Sequence, residues 1–365
     1  MLGKKMSKSK VAVLHTKPES VLEDYAKLMD MAGYRDVILP GPEVLLKVNI
    51  SWQLFYPACS TTPWQLEGVI KKLLGDGYPR ENISAVHNRT VVVDAHVGEV
   101  NNKHLPVVRK YGLKNIHLYE GEEWIPFKPK ARMKVLDKIF PEGLKIPRRF
   151  IGANIIHLPT CKTHVFTTIT GAMKNAFGGL LNEKRHWTHS VIHETLVDLL
   201  AIQKEIHPGI FAVMDGTFAG DGPGPRAMRP HVKNVILASA DQVAIDAVSA
   251  KLMGFDPMKL DFIRMAHEDE LGIGDPAQIE IVGDDISGEN WHFTGNEDTF
   301  ASRGQKMIYH GPLKPLEKLL LRTPLVPWSY IASRLYHDGY WYPFVGKKRV
   351  EEIMRTEWGT LFQKY

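Results

Sequence analysis

Residues 154–179 read NIIHLPTCKTHVFTTITGAMKNAFGG, and this stretch decides the fold. Asn154 to Leu158 is an apolar run of strand length, Pro159 opens a polar loop, and Thr168 to Leu180 carries the apolar spacing of a helix. A strand that empties through a loop into a helix is the repeating half of a parallel α/β sheet. The same pattern recurs on both sides of it. Strands are expected at Lys10–His15, Val44–Asn49, Ile83–His87, Ile210–Asp215, Asn234–Ser239 and Gln278–Gly283, with helices at Ser20–Met31, Pro63–Leu74, His189–Glu205 and Gln242–Leu252. Thr62 before Pro63 and Asp241 before Val243 and Ala244 supply helix starts. The expectation is an α/β protein with an open, mostly parallel sheet and helices on both faces, spanning 8–285 with 128–149 as an excursion. An aromatic-rich extension, 286–365, follows and packs on the core or on a partner.

The 365 residues suffice for a sizeable core, and 44% hydrophobic with 24% charged residues is the composition of a folded chain. A net charge of +5 is mild, and its cations are interspersed with Asp and Glu, which argues against nucleic acid as a partner. Two cysteines, Cys59 and Cys161, are too few for an iron–sulfur cluster or a disulfide framework. No apolar run reaches the length of a membrane span, and MLGKKMSKSK lacks the apolar stretch of a signal peptide, so the expected location is the cytoplasm. Met6 is a second candidate initiator. The aromatic and basic tail admits a membrane-surface role over Leu313–Phe344, set against the plainer reading that it packs on the core.

Ligands of open parallel sheets bind beyond the carboxyl ends of the strands, so polar residues there are the candidate site. Lys47 and Asn49 share one face of their strand by period-two alternation, and Thr61 and Thr62 open the next helix with free amides suited to an anion. His87 and Arg89 follow another strand. In the 154–179 stretch, Lys162 and His164 sit in the loop, and Thr167, Thr170 and Lys174 recur at helical spacing with Asn175 adjacent. Lysine and imidazole together supply acid/base chemistry and a cation for developing negative charge. Asp215 ends an apolar strand and is read as a catalytic carboxylate, while Asp221 lies in the glycine-rich stretch behind it. His186, His189 and His193 recur at helical spacing, and His189, His193 and Asp221 are the candidate ligands of a divalent metal.

Five stretches in order carry a family resemblance: LLKVN followed by STTP, HLPTCKTHVFTTITGAMKNAFGG, MDGTFAGDGPGP, ASADQVAIDAVSAKLMGFDP and LGIGDPAQIEIVG. From Val44 to about Gly283 the chain resembles the domain-of-unknown-function 362 family, and Tyr336–Tyr365 is similar to the end of one of its branches. Many relatives carry a ferredoxin-like module with cysteine-ligated clusters, so the resemblance implies redox chemistry. That module is missing here, which makes a separate ferredoxin-type protein the implied redox partner. The expected function is an enzyme acting on a small anionic metabolite by redox or isomerase chemistry, with Lys162, His164 and Asp215 catalytic. The competing expectation is an accessory or cofactor-binding protein that docks on an iron–sulfur partner. A homodimer fits the aromatic tail.

Overall fold

The computed structural model describes residues 8–88, 92–316 and 327–365. The expected α/β architecture is present: a mostly parallel, mixed sheet of ten strands with helices on both faces. The N-terminal half supplies β1 (Ser9–His15), α1 (Val21–Met31), β2 (Val44–Val48), α2 (Pro63–Gly75), β3 (Ile83–His87), α3 (Ala95–Asn101), α4 (His104–Tyr111) and β4 (Lys114–His117). A small two-stranded sheet, β5 (Trp124–Phe127) and β6 (Leu144–Pro147), brackets residues 128–143, most of the expected excursion, and holds the one-turn helix α5 (Leu136–Ile139). The second half supplies β7 (Asn154–Leu158), β8 (Thr160–His164), β9 (Thr168–Ile169), α6 (Ala172–Asn175), α7 (Phe177–Leu180) and α8 (Ile192–Ile206). It continues with β10 (Ile210–Asp221), β11 (Arg229–Ser239), α9 (Gln242–Met253), α10 (Asp261–Glu268), β12 (Ile279–Gly283) and α11 (Phe300–Tyr309).

The main sheet runs β12-β1-β11-β10-β7-β2-β3-β4, along which β11 alone of the described strands runs against its neighbours, and β8 and β9 attach beside β10. Period-two alternation divides its side chains between two apolar layers. Val11, Val13, Leu45 and Ile155 face one layer with α8 and α9, while Ala12, Leu14, Leu46 and Ile156 face the other with α1 and α2. Both layers are needed because the central strands are buried on both faces, as parallel strands normally are. The ordering also aligns the carboxyl ends of β7, β2 and β3, since Val48 pairs with Leu158 and Lys47 with Val86.

Two departures from the expected elements matter for function. Residues 168–180 are not one helix: β8 turns back on β9 as a hairpin, pairing Thr163 with Ile169, and helix starts only at Ala172. The run Thr167-Thr168-Ile169-Thr170 is β-branched throughout and disfavours helix. The second departure explains where β8 finds a partner. β10 does not stop at Asp215 but runs to Asp221, extending past the end of β7, and β8 lies along that extension. The glycines there are strand positions under tight packing: a Cβ on Gly216 would approach Val235 O to 2.8 Å, and one on Gly220 would meet Met228 Sδ at 2.5 Å.

The C-terminal segment returns to the core. Trp341, Trp358 and Phe362 are buried in the layer that contains Trp52 and Trp64, with Phe55 stacked on Phe362 at 3.9 Å between centroids. Ile331, Leu335, Tyr340 and Phe344 point outward. No helix among the described residues is long and apolar enough to cross a membrane.

Candidate functional site

A cavity of about 570 Å³ opens at the aligned carboxyl ends of β2, β3 and β7. Strand β2 delivers Lys47 and Asn49, β3 delivers His87, and β8 delivers Lys162 and His164. The turn through Gly171 brings Thr170, Lys174 and Asn175, the segment after α7 brings Arg185 and His189, and the loop beyond β10 brings Arg226. The far wall comes from α11 and from Ser333 and His337 of the C-terminal segment. Five Lys and Arg side chains and five imidazoles line this space, and among the described residues no Asp or Glu does.

Lys47 and Lys162 are buried and Lys174 and Arg226 half-buried, with little to compensate them. Among the described residues Lys47 donates only to Val48 O, and Lys162 to Cys59 O and Thr160 Oγ1, all neutral acceptors. Lys174 lies over the Phe177 ring. No carboxylate of the described residues pairs with any of the three. Burial therefore pushes the Lys47 and Lys174 ammonium groups down to about 7, helped by the nearby Arg185, and Lys162 down to about 8. Burial lowers Arg226 as well, and the carboxylate acting on it, Asp338, is already held by Trp52 and Gln53.

The two best-placed imidazoles carry opposite tautomers. Phe166 N–H donates to His164 Nδ1, so the neutral ring bears its proton on Nε2. His189 Nδ1 faces the His186 carbonyl and must donate to it, which leaves the lone pair on Nε2. Burial holds both neutral, His189 down to about 3 and His164 well below its ordinary value. The cavity thus presents a proton donor and a proton acceptor from neighbouring walls.

Close packing holds these groups in place. A Cβ on Gly179 would press on Phe150 at 3.1 Å and on Lys47 Cε at 3.3 Å, so this glycine lets α7 lie against the lysine. Asn175 Nδ2 donates to Lys47 O. Asp246 of α9 accepts from Ala172 and Met173 N–H and so anchors the turn that carries Lys174. Gly171, at φ +116°, has no room for a side chain, since its Cβ would reach Asp246 Oδ1 at 2.3 Å.

The structure brings Lys47, Asn49, His87, Lys162, His164, Lys174 and Asn175 of the expected residues to this cavity. Thr167 stands behind His164, its hydroxyl 3.1 Å from Nδ1. Thr61 and Thr62 are buried elsewhere. Thr61 bonds Leu158 O, and Thr62 closes a capping box with Gln65 that already occupies the amides expected to hold an anion. Asp215 is enclosed by Tyr25, Thr62, Trp64 and Thr217 and does not line the cavity. Its place in mid-strand follows from the longer β10. Asp221 is tied to Arg229 and Thr294, so it does not converge with His189 and His193 on one ion position. His193 lines a separate recess beside Asp261, and residues 183–191 form a tighter helix than the α-helical spacing assumed. Arg89 lies outside the described residues. Sequence reasoning passed over Arg185, Arg226, Asp246 and His337. Of these, only Asp246 left a signal, a lone carboxylate inside the apolar helix QVAIDAVSAK.

Among curated proteins, the chain is similar to the thylakoid-associated protein sll1697 of Synechocystis sp., at 29% identity over 275 residues covering 72% of this chain and 78% of the relative. No solved structure matches. Residues 44–251 match the family described as "Domain of unknown function (DUF362)". That match covers more than half of the chain and takes in Lys47, Lys162, His164 and Lys174 from the cavity wall, and the chain belongs to the DUF362 family.

Proposed function

We propose that the protein is an enzyme that binds a small anionic metabolite in this cavity and moves a proton on it. One observation carries the reading: Lys47, Lys162, Lys174 and Arg226 converge on a space that no carboxylate of the described residues lines. Buried charge without a counter-charge is costly, and a bound phosphate or carboxylate is the group that removes the cost. The cavity has the size of a metabolite site. His164 Nε2–H serves as donor and His189 Nε2 as acceptor, and lysines held close to neutrality complete a set able to exchange protons near pH 7. This is isomerase-type chemistry, and it needs no second protein. A cofactor or an iron–sulfur partner would be required for the redox alternative. The test is a thermal-shift screen of phosphorylated and polycarboxylate metabolites. At least one should raise the melting temperature of the native chain, and Lys162→Ala with His164→Ala should lose that shift while keeping the native circular dichroism. Failure of every anion, or shifts that survive both substitutions, would move the weight to an accessory protein.

A second reading concerns location. The name of the Synechocystis relative, together with outward-facing Ile331, Leu335, Tyr340 and Phe344 beside the exposed Arg334, Lys347 and Lys348, supports attachment to a membrane surface in place of a freely cytoplasmic life. Co-sedimentation with anionic lipid vesicles should fall when Leu335, Tyr340 and Phe344 are replaced by Ser. Equal sedimentation of both proteins would sink this reading.

A further inference from the structure

A second cluster lies beyond the ends of β3 and β4, apart from the cationic cavity. His96 and Glu99 stand one turn apart on α3, and His117 ends β4 beside them. His117 Nε2 lies 3.1 Å from Glu99 Oε2, and His96 Nδ1 lies 3.8 Å from Glu99 Oε1. One donor atom from each of the three falls within 4.8 Å of the others. Glu120, in the turn after β4, reaches His96 Nε2 at 2.7 Å.

We propose that His96, Glu99 and His117 bind a divalent first-row transition-metal ion, with Glu120 steadying the His96 ring through its Nε2. Bonds of about 2.0–2.2 Å to such an ion place neighbouring donors roughly 3–4 Å apart, so small side-chain movements close the site. Two imidazoles and one carboxylate favour zinc, iron or cobalt over magnesium or calcium, which prefer oxygen throughout. Glu99 is only 3% exposed, and its two oxygens are faced by His117 Nε2 and His96 Nδ1, so the carboxylate is held between both imidazoles. His96 is half-exposed and leaves a path for the ion and for water.

The surrounding shell has the form that metal sites use to orient a ligand. Asn115 Nδ2 donates to Glu99 Oε2 at 2.8 Å, and its Oδ1 accepts from His87 Nε2 at 2.7 Å. His87 is fully buried, and its Nδ1 finds no partner among the described residues. Because His87 also lines the cavity, the amide of Asn115 links the metal carboxylate to the wall of the other site.

The experiment uses the full chain prepared without a histidine tag, stripped with a chelator and titrated with Zn²⁺ and, for its visible absorption, Co²⁺. The expected result is one ion per chain, with affinity lowered at least about tenfold by His96→Ala and by Glu99→Gln, and unchanged by Lys174→Met. His96→Ala alters a half-exposed side chain, and circular dichroism verifies that it folds. Absence of stoichiometric binding would overturn the proposal. Binding that survives both substitutions would overturn it too, and would place the ion elsewhere in the chain.

Discussion

Asp215 is fully buried and Lys174 half-buried, both ionisable groups close to the same strand ends, yet the structure treats them in opposite ways. Asp215 receives hydrogen bonds from Tyr25, Thr62, Trp64 and Thr217, the backbone N–H of Thr217 included. Lys174 has an aromatic face, other cations and an open cavity. A buried charge whose bonds are complete is part of the framework, and one left incomplete is, on the function proposed above, the place for a ligand. The polar residues that the sequence offers as candidates therefore sort themselves by their partners, not by their chemistry.

Substituting the two residues as a matched pair sharpens this contrast. Asp215→Ala strands five buried donors and should cost about 3–5 kcal/mol of stability in denaturant unfolding, while the folded fraction keeps its anion affinity. Lys174→Met removes an uncompensated charge and should do the reverse: stability rises by about 1–3 kcal/mol at pH 6, and anion affinity falls at least tenfold. The gain should shrink at pH 9. Lys174 is held at about 7 in the folded chain against an ordinary 10.5, so between those values the unfolded chain holds the extra proton and native stability rises with pH. Two variants that lose stability alike, with no difference in binding, would dissolve the distinction.

Much of this was legible in the sequence, and the failures have physical causes. Strands β3 and β7 have the boundaries that alternation and apolar runs predict, because a buried parallel strand has little latitude. Lys47 is visible for the same reason, as a lysine with no routine place in such a strand. The segment after His164 misled because apolar spacing does not separate a β-hairpin from a helix, and the hairpin depends on an extension of β10 that only tertiary packing supplies. Asp215 misled for a related reason: with the strand read as ending there, its carboxylate seemed to face a ligand. Arg226 and His337 reach the cavity from distant segments, and no local pattern announces a contact made across more than a hundred residues. The cluster of His96, Glu99 and His117 escaped notice because its ligands come from a helix and a strand brought together by the crossover between β3 and β4.

The central claim is that the cavity is built for an anion, and proton-linked calorimetry tests it most directly. The tightest anion from the screen is titrated into the protein at pH 8 in two buffers of different ionisation enthalpy, then at pH 6 and pH 9. Lys47 and Lys174, held at about 7 in the empty cavity, should regain protons as the anion arrives. Net proton uptake at pH 8 is expected, with affinity falling from pH 6 to pH 9 and the uptake reduced in Lys174→Met. Binding without proton uptake, or binding that strengthens as the pH rises, would contradict the account.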